Sequence, residues 1–404
     1  MHFKFAWRYF KAKKSTNAIN IISWVTAGVI AFSTLCQVLV LSVFNGFEDL
    51  VKSLYSNFYS DVKVVPAKGK TFTLTPQQLH KIHSLPGIKG SSLNIEEKAL
   101  LQNQELQTVV LLKGVDTNYY QVSGVPQKMY DGIFNTGTSD NPKLILGAGI
   151  ENALGVQADR NLLPITVFLP KKTSSNNPLE ALSEGNATTS GSFAIQQDFD
   201  NKYVITNLPF MRQQMNYQPD EYSALEISLL NPSGSDDFID KVQKILGDNY
   251  KVLTKYQQNM SLYNSMRLEK WFIYAVLTMI LIIAAFNMVG ALTMLVLEKR
   301  KDISVLQSLG ADKSLIKKIF LTEGLLLATI GAGTGIVLAL IIVFLQTKYH
   351  LIKLAGNSFL IDYFPVKMQL TDFILVILTA LVIAFIASWF PATKASRQMF
   401  NLKS

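Results

Sequence analysis

Four apolar runs, at 19–47, 271–297, 320–346 and 371–391, decide what this chain can fold into. Each is long enough to cross ~30 Å of hydrocarbon as a helix rising ~1.5 Å per residue. Lipid offers the backbone no hydrogen-bond partners, so a spanning segment there satisfies its own. The first run far exceeds the ~7–15 residue core of a secretory leader, and no small-x-small cleavage site follows it. It reads as a retained anchor. At 49% apolar and 17% charged, with mean hydropathy +0.22, the 404-residue chain is too oily for an ordinary soluble protein. It is also too polar for a many-span transporter, so membrane and aqueous parts must be mixed.

The aqueous part lies between the first two runs. From 48 to 267 the apolar stretches become short and β-branched between turn residues: Asp61–Pro66, Thr108–Val115, Leu144–Leu146, Ile165–Leu169, Tyr203–Thr206, Ala224–Leu230 and Tyr250–Leu253. Helical patterns fall at Pro76–Ser84, Gly149–Leu154 and Asp236–Leu246. This predicts an α/β domain with its own core. Residues 171–193, rich in Ser, Asn and Thr, read as a long polar loop of the kind that carries function or disorder.

Charge orients the chain. The net charge is +9. Lys4, Arg8, Lys11, Lys13, Lys14, Lys299, Arg300, Lys301, Lys313, Lys317, Lys318, Lys394, Arg397 and Lys403 cluster in 1–18, 298–319 and 392–404, opposed only by Glu298, Asp302 and Asp312. That is the positive-inside pattern and not a nucleic-acid footprint. It places both termini and the 298–319 loop in the cytosol, with 48–267 and the 347–370 loop outside. The first 18 residues interleave aromatics with lysines, as an interfacial helix would. The lone Cys36 allows no intrachain disulfide.

The 298–319 loop is the most telling. Its first half is charged (Glu298, Lys299, Arg300, Asp302), and Ile303, Leu306 and Leu309 follow at i, i+3, i+6. This spacing predicts a short amphipathic helix along the inner face, stopped by Gly310, with Asp312 capping the next segment. A cytosolic partner could push on such a helix; a basic loop holding anionic headgroups would use the same residue types. In the third run Gly324, Ala328, Gly331 and Gly335 form a small-residue stripe for close helix packing, read as packing within one subunit.

Catalytic patterns are weak. Gly69-Lys70-Thr71 ends like a phosphate-binding loop but Val64 stands where its first glycine is needed, and Gly147-Ala-Gly149 reads as a turn. His80 and His83 have metal-like spacing with no further histidine pair to complete a site. No nucleophile elbow occurs.

Ser42-Val-Phe-Asn-Gly-Phe-Glu48, the 298–310 segment, the glycine-rich third run and Trp389-Phe-Pro-Ala-Thr-Lys-Ala-Ser396 together resemble the lipoprotein-releasing permeases of the LolC/LolE type, within the FtsX/MacB superfamily of ABC permeases. The resemblance covers nearly the whole length. It implies a second permease, identical or related, and a pair of separate ABC ATPase subunits that bind ATP and Mg, this chain holding no cofactor itself. It makes 298–310 the coupling helix seated on the ATPase. Lipoprotein acyl chains would leave the outer leaflet of the bacterial inner membrane for a cavity between the first two long helices, and the lipoprotein would pass to a periplasmic carrier. Val38, Leu41, Phe44 and Phe47 repeat near the outer end of the first helix, and Phe272, Val276 and Met279 on the second, as that cavity needs. Lipid-facing or packing surface would show the same repeats. The family's carrier-gripping hook falls near 171–193.

The sequence thus predicts a membrane α-helical protein of four transmembrane helices with a large α/β extracytoplasmic domain inserted between the first and second. The expected boundaries are 1–18 interfacial helix, 19–47 first span, 48–267 domain, 268–297 second span, 298–319 coupling loop, 320–346 third span, 347–370 outer loop, 371–391 fourth span and 392–404 tail. The alternatives are an FtsX-like regulator of cell-wall hydrolases and a MacB-like efflux permease.

Overall fold

The computed structural model describes residues 17–160, 163–172, 181–232, 235–353 and 363–397. Most of the expected interfacial helix at 1–18 lies outside them. The chain divides into two compact units, 51–263 and the remainder.

Along the chain, α1 (Asn17–Phe58) leads to β1 (Val62–Pro66), β2 (Phe72–Thr73), α2 (Pro76–His83), β3 (Ile88–Asn103), β4 (Leu106–Val115), β5 (Met129–Gly132) and β6 (Lys143–Gly147). There follow α3 (Ala148–Leu154), β7 (Ile165–Pro170), β8 (Leu182–Phe193), β9 (Tyr203–Asn207), α4 (Leu208–Met215), β10 (Glu221–Tyr222), β11 (Ala224–Leu229), α5 (Ser235–Leu246) and β12 (Tyr250–Thr254). The chain closes with α6 (Met260–Glu298), α7 (Arg300–Ser308), α8 (Lys313–Tyr349) and α9 (Leu370–Ser396).

In residues 51–263 ten strands form one mixed sheet, ordered β12-β1-β11-β3-β4-β9-β6-β8-β5, with β7 joining β3 and β8 off that path. Strand alternation gives it two different faces. On one, Ile95, Leu112, Leu144 and Val204 pack with Ile150, Phe210 and Met211 from α3 and α4. Val62, Val64, Leu225 and Ile227 pack with Ile82, Phe238 and Val242 from α2 and α5. On the other face Val115, Ile145 and Ile205 lie under the aromatic cluster of Tyr55, Phe58 and Phe199. Thr75 closes a reciprocal capping box with Gln78 at the start of α2.

Five strands have no counterpart in the sequence reading, the short β2, β5 and β10 and the long β3 and β8. Residues 182–193 are the strand β8, not the end of a loop. β8 runs antiparallel to β7 and parallel to β6. Its first inward side chains are Ser183, Gly185, Ala187 and Thr189, small residues that bury without looking hydrophobic. The hook-like loop is therefore shorter than 171–193, and residues 173–180 of it lie outside the described residues. β3, at 16 residues, spans a stretch with no strand signal because Ser92, Asn94 and Glu96 alternate with its apolar positions.

In the other unit α1, α6, α8 and α9 are each long and apolar enough to cross a membrane. They outrun the apolar runs: α1 has 42 residues and α6 has 39. Polar segments such as 260–267 carry no hydropathy signal yet continue the helix. The small-residue stripe of α8 faces neighbours in the same chain. A Cβ on Gly331 would come 2.8 Å from the carbonyl oxygen of Ala27, and one on Gly335 would overlap that of Ala31. Gly324 lies against Ser388 and Leu292, and Ala328 is buried beside them.

Candidate functional site

α7 is anchored on one side and open on the other. Ile303 is 2% exposed and packs with the bundle core of Leu295, Val296, Ile316 and Phe320. Leu306 is half-buried, whereas Val305 is 57% and Leu309 79% exposed. The three apolar positions read from the sequence therefore divide: one holds the helix, one borders it and one faces out. Lys299 pairs with Asp302 at 3.1 Å, while Arg300 and Lys301 are exposed; Glu298 ends α6, half-buried. Gly310 takes φ +93°, a left-handed conformation that glycine adopts without strain. The Asp312 carboxylate then accepts the Leu315 N–H at 2.9 Å and starts α8. Sequence position alone does not reveal Val305, which joins Leu309 on the exposed surface.

At the other end of this unit a polar clamp joins three helices. Lys270 on α6 donates to the Asn45 Oδ1 of α1 at 2.8 Å and lies 3.1 Å from Oδ1 of Asp372 on α9. The Asn45 amide donates to Asp372 Oδ2 at 2.6 Å and to the Lys367 carbonyl at 3.3 Å. Gly46 presses against the backbone of Pro365 and Val366, where a Cβ would overlap the Pro365 carbonyl. The Lys367 N–H donates to the Ser42 carbonyl at 2.9 Å. The Asn45-Gly46 pair thus has a physical reason: the amide crosslinks, and the missing side chain admits the 365–367 segment.

The residues assigned to an acyl cavity do not share one surface. Val38 and Leu41 are buried against Ala339 and Val376. Phe47 packs edge-on to Phe364 at 5.9 Å, and Phe44 is half-buried. On α6, by contrast, Phe272, Val276 and Met279 are exposed. Leu268, Ile283 and Phe286 are exposed too and extend them into one stripe at helical spacing.

The weaker motifs serve local structure. Lys70 pairs with Glu97 at 2.6 Å, and the Thr71 hydroxyl donates to Glu221. Gly147 and Gly149 pack against Asp200 and Asn201. His83 is hydrogen-bonded to Ser91 at 2.7 Å. Among the described residues no cluster of His, Cys, Asp and Glu could hold a metal ion.

Residues 274–399 match the family described as FtsX-like permease C-terminal. The lipoprotein-releasing system transmembrane protein LolC of Xylella fastidiosa (strain 9a5c) is 25% identical over 399 residues, covering 96% of this chain and 95% of its own. LolE of Haemophilus influenzae is 26% identical over 412 residues, covering 98% and 97%. The periplasmic region of MacB from Actinobacillus actinomycetemcomitans aligns with 54% of this chain and 98% of its own at 11% identity and TM-score 0.36. The chain is a relative, over nearly its whole length, of the LolC and LolE transmembrane proteins of lipoprotein-releasing systems, and its residues 274–399 resemble the FtsX-like permease C-terminal domain.

Proposed function

We propose that this chain is the permease subunit of an ATP-driven complex that draws lipoproteins from the outer leaflet of the bacterial inner membrane and hands them to a periplasmic carrier. The observation that carries this reading is the end-to-end similarity to LolC and LolE. In this reading the basic segments lie in the cytosol, 51–263 in the periplasm, and α7 on one of a pair of ABC ATPase subunits. Those subunits bind ATP and Mg; this chain contributes no catalytic group. A second permease, identical or related, completes the complex. The exposed stripe Leu268–Phe286 of α6 is the surface offered to acyl chains, while Val38 and Leu41 support it from within the bundle.

The test is purification of the full chain in mild detergent with mass spectrometry of what stays bound. An ABC ATPase together with triacylated lipoprotein is the expected result. The ATPase with a peptidoglycan hydrolase, or with an outer-membrane channel, would replace this reading by the regulator or efflux one. No ATPase under any mild condition would remove the coupling role of α7.

A further inference from the structure

The last two turns of α1, residues 51–58, belong to the 51–263 unit, and what lies beneath them is unusual. Phe58 stacks on Phe199 at 4.3 Å, and the Tyr55 hydroxyl donates to Asp198 at 2.6 Å. The Gly124 N–H caps the helix end at the Asn57 carbonyl, 2.8 Å away. Below the rings, four charges from four strands form a row: Lys63 on β1, Glu226 on β11, Glu96 on β3 and Lys113 on β4. Lys113 is 1% exposed. Its ammonium sits 2.7 Å from Glu226 Oε1, 5.3 Å from the centre of the Phe58 ring and 4.9 Å from that of Tyr119. Lys63 lies 3.5 Å from Glu96 and 3.9 Å from Glu226.

A buried ion row is a poor way to stabilise a sheet. Desolvation offsets the attraction, and apolar residues of similar volume commonly do as well. Glu226 Oε2 has no hydrogen-bond donor among the described residues, which adds to the cost. What the row supplies is position: an ammonium held by a carboxylate on β11 and faced by an aromatic ring of α1. A ring facing a desolvated cation is held by a directional attraction that an aliphatic side chain cannot give.

We propose that Lys113 is a positioning residue that fixes the end of α1 to the sheet, so that displacement of this continuous helix is passed into the domain. The inference rests on the permease reading. Burial opposes the charge on Lys113, but Glu226, Tyr119 and Glu96 outweigh it and keep the amine protonated. The grip is therefore constant across physiological pH.

The test uses the full chain with its ATPase and second permease in lipid nanodiscs, comparing wild type with Lys113→Met/Glu226→Leu, which leaves Lys63 and Glu96 paired. Hydrogen exchange is read peptide by peptide, and lipoprotein released is measured per ATP hydrolysed. The expected result is exchange roughly thirtyfold faster in 51–58, the size of one buried cation–π contact. β7 and β8 remain as protected as in wild type, and release per ATP falls while basal hydrolysis is unchanged. Tyr55→Cys/Asp198→Cys, bridged by a short bis-maleimide in a Cys36→Ser background, should restore release in the double variant by pinning the helix covalently. Unchanged exchange in 51–58, faster exchange throughout the sheet, or unchanged release per ATP would each overturn the proposal. If wild type releases no lipoprotein on addition of ATP, the permease reading fails instead, and the exchange pattern still decides whether Lys113 holds the helix.

Discussion

Lys270 and Asp372 form an ion pair, Nζ to Oδ1 at 3.1 Å, with Asn45 hydrogen-bonded to both side chains. Three helices distant in sequence are therefore tied by one set of charge-assisted hydrogen bonds. Asp372 and Asn45 are buried, so the carboxylate left without Lys270 has little water to compensate it.

Lys270→Met should cost about 3 kcal/mol, as expected for one partner stranded from a buried pair. Lys270→Met/Asp372→Leu should recover most of that loss. Thermal unfolding in detergent reads both; a single variant as stable as wild type would show that solvent already reaches the pair.

Glycine substitutions should divide by what a Cβ would meet. Gly46→Ala drives a methyl into the Pro365 carbonyl and Gly335→Ala into that of Ala31, backbone atoms that cannot swing aside. Each should cost about 1–3 kcal/mol. Gly290 and Gly333 have open space beside them, so alanine there should leave the melting temperature unchanged or raise it. Equal effects at all four positions would contradict the packing described.

Val305→Asp and Leu309→Asp should separate folding from partner binding. Both side chains are exposed, so stability should move by no more than about 0.5 kcal/mol. Recovery of the ATPase in a pull-down should nevertheless collapse. Ile303→Asp, by contrast, puts a carboxylate into the bundle core and should lower the folded yield itself. Normal ATPase recovery with both exposed variants would move the contact elsewhere.

Acid should loosen the 51–263 sheet. Burial pushes the Glu221 carboxyl up, but hydrogen bonds from Lys172 and Thr71 outweigh it and hold the group below its ordinary 4.5. Glu96 is held down in the same way by Lys63 and Lys113. Such groups contribute stability in full above 4.5, and it is lost as pH falls through their depressed values. Asp200, raised by burial, acts in the opposite sense and softens the loss. Melting should therefore hold from pH 7 down to about 4.5 and drop as the pH falls further. Glu221→Gln should flatten that drop, and an equally steep one in the variant would assign the effect to other groups.

The four long apolar helices, the short amphipathic helix α7 and the Asp312 cap that follows it were legible because hydropathy and capping are local. So were the strands whose inward positions carry Val, Ile or Leu. β8 was hidden because Ser183, Gly185 and Ala187 bury as small residues, and β3 because its Glu96 pairs with Lys63 of β1. The clamp could be half seen. Asn45-Gly46 stood out as a motif, but its partners Lys270 and Asp372 lie at the ends of two other helices, and no spacing rule connects them. Val38 and Leu41 share the spacing of exposed positions, and only the neighbouring Ala339 and Val376 show that they face inward.

The clamp also imposes an order on biosynthesis. Chains fold from the N-terminus as they are made, domain by domain. Asn45 enters the membrane before residues 51–263 have left the ribosome, Lys270 follows them, and Asp372 comes last. Until α9 is inserted, Lys270 lacks the carboxylate it pairs with in the finished bundle. A product truncated before residue 372 therefore carries a marked defect, a lone ammonium among helix ends, while its sheet is already complete. The same three residues that hold the finished bundle together distinguish it from every nascent form that stops before residue 372.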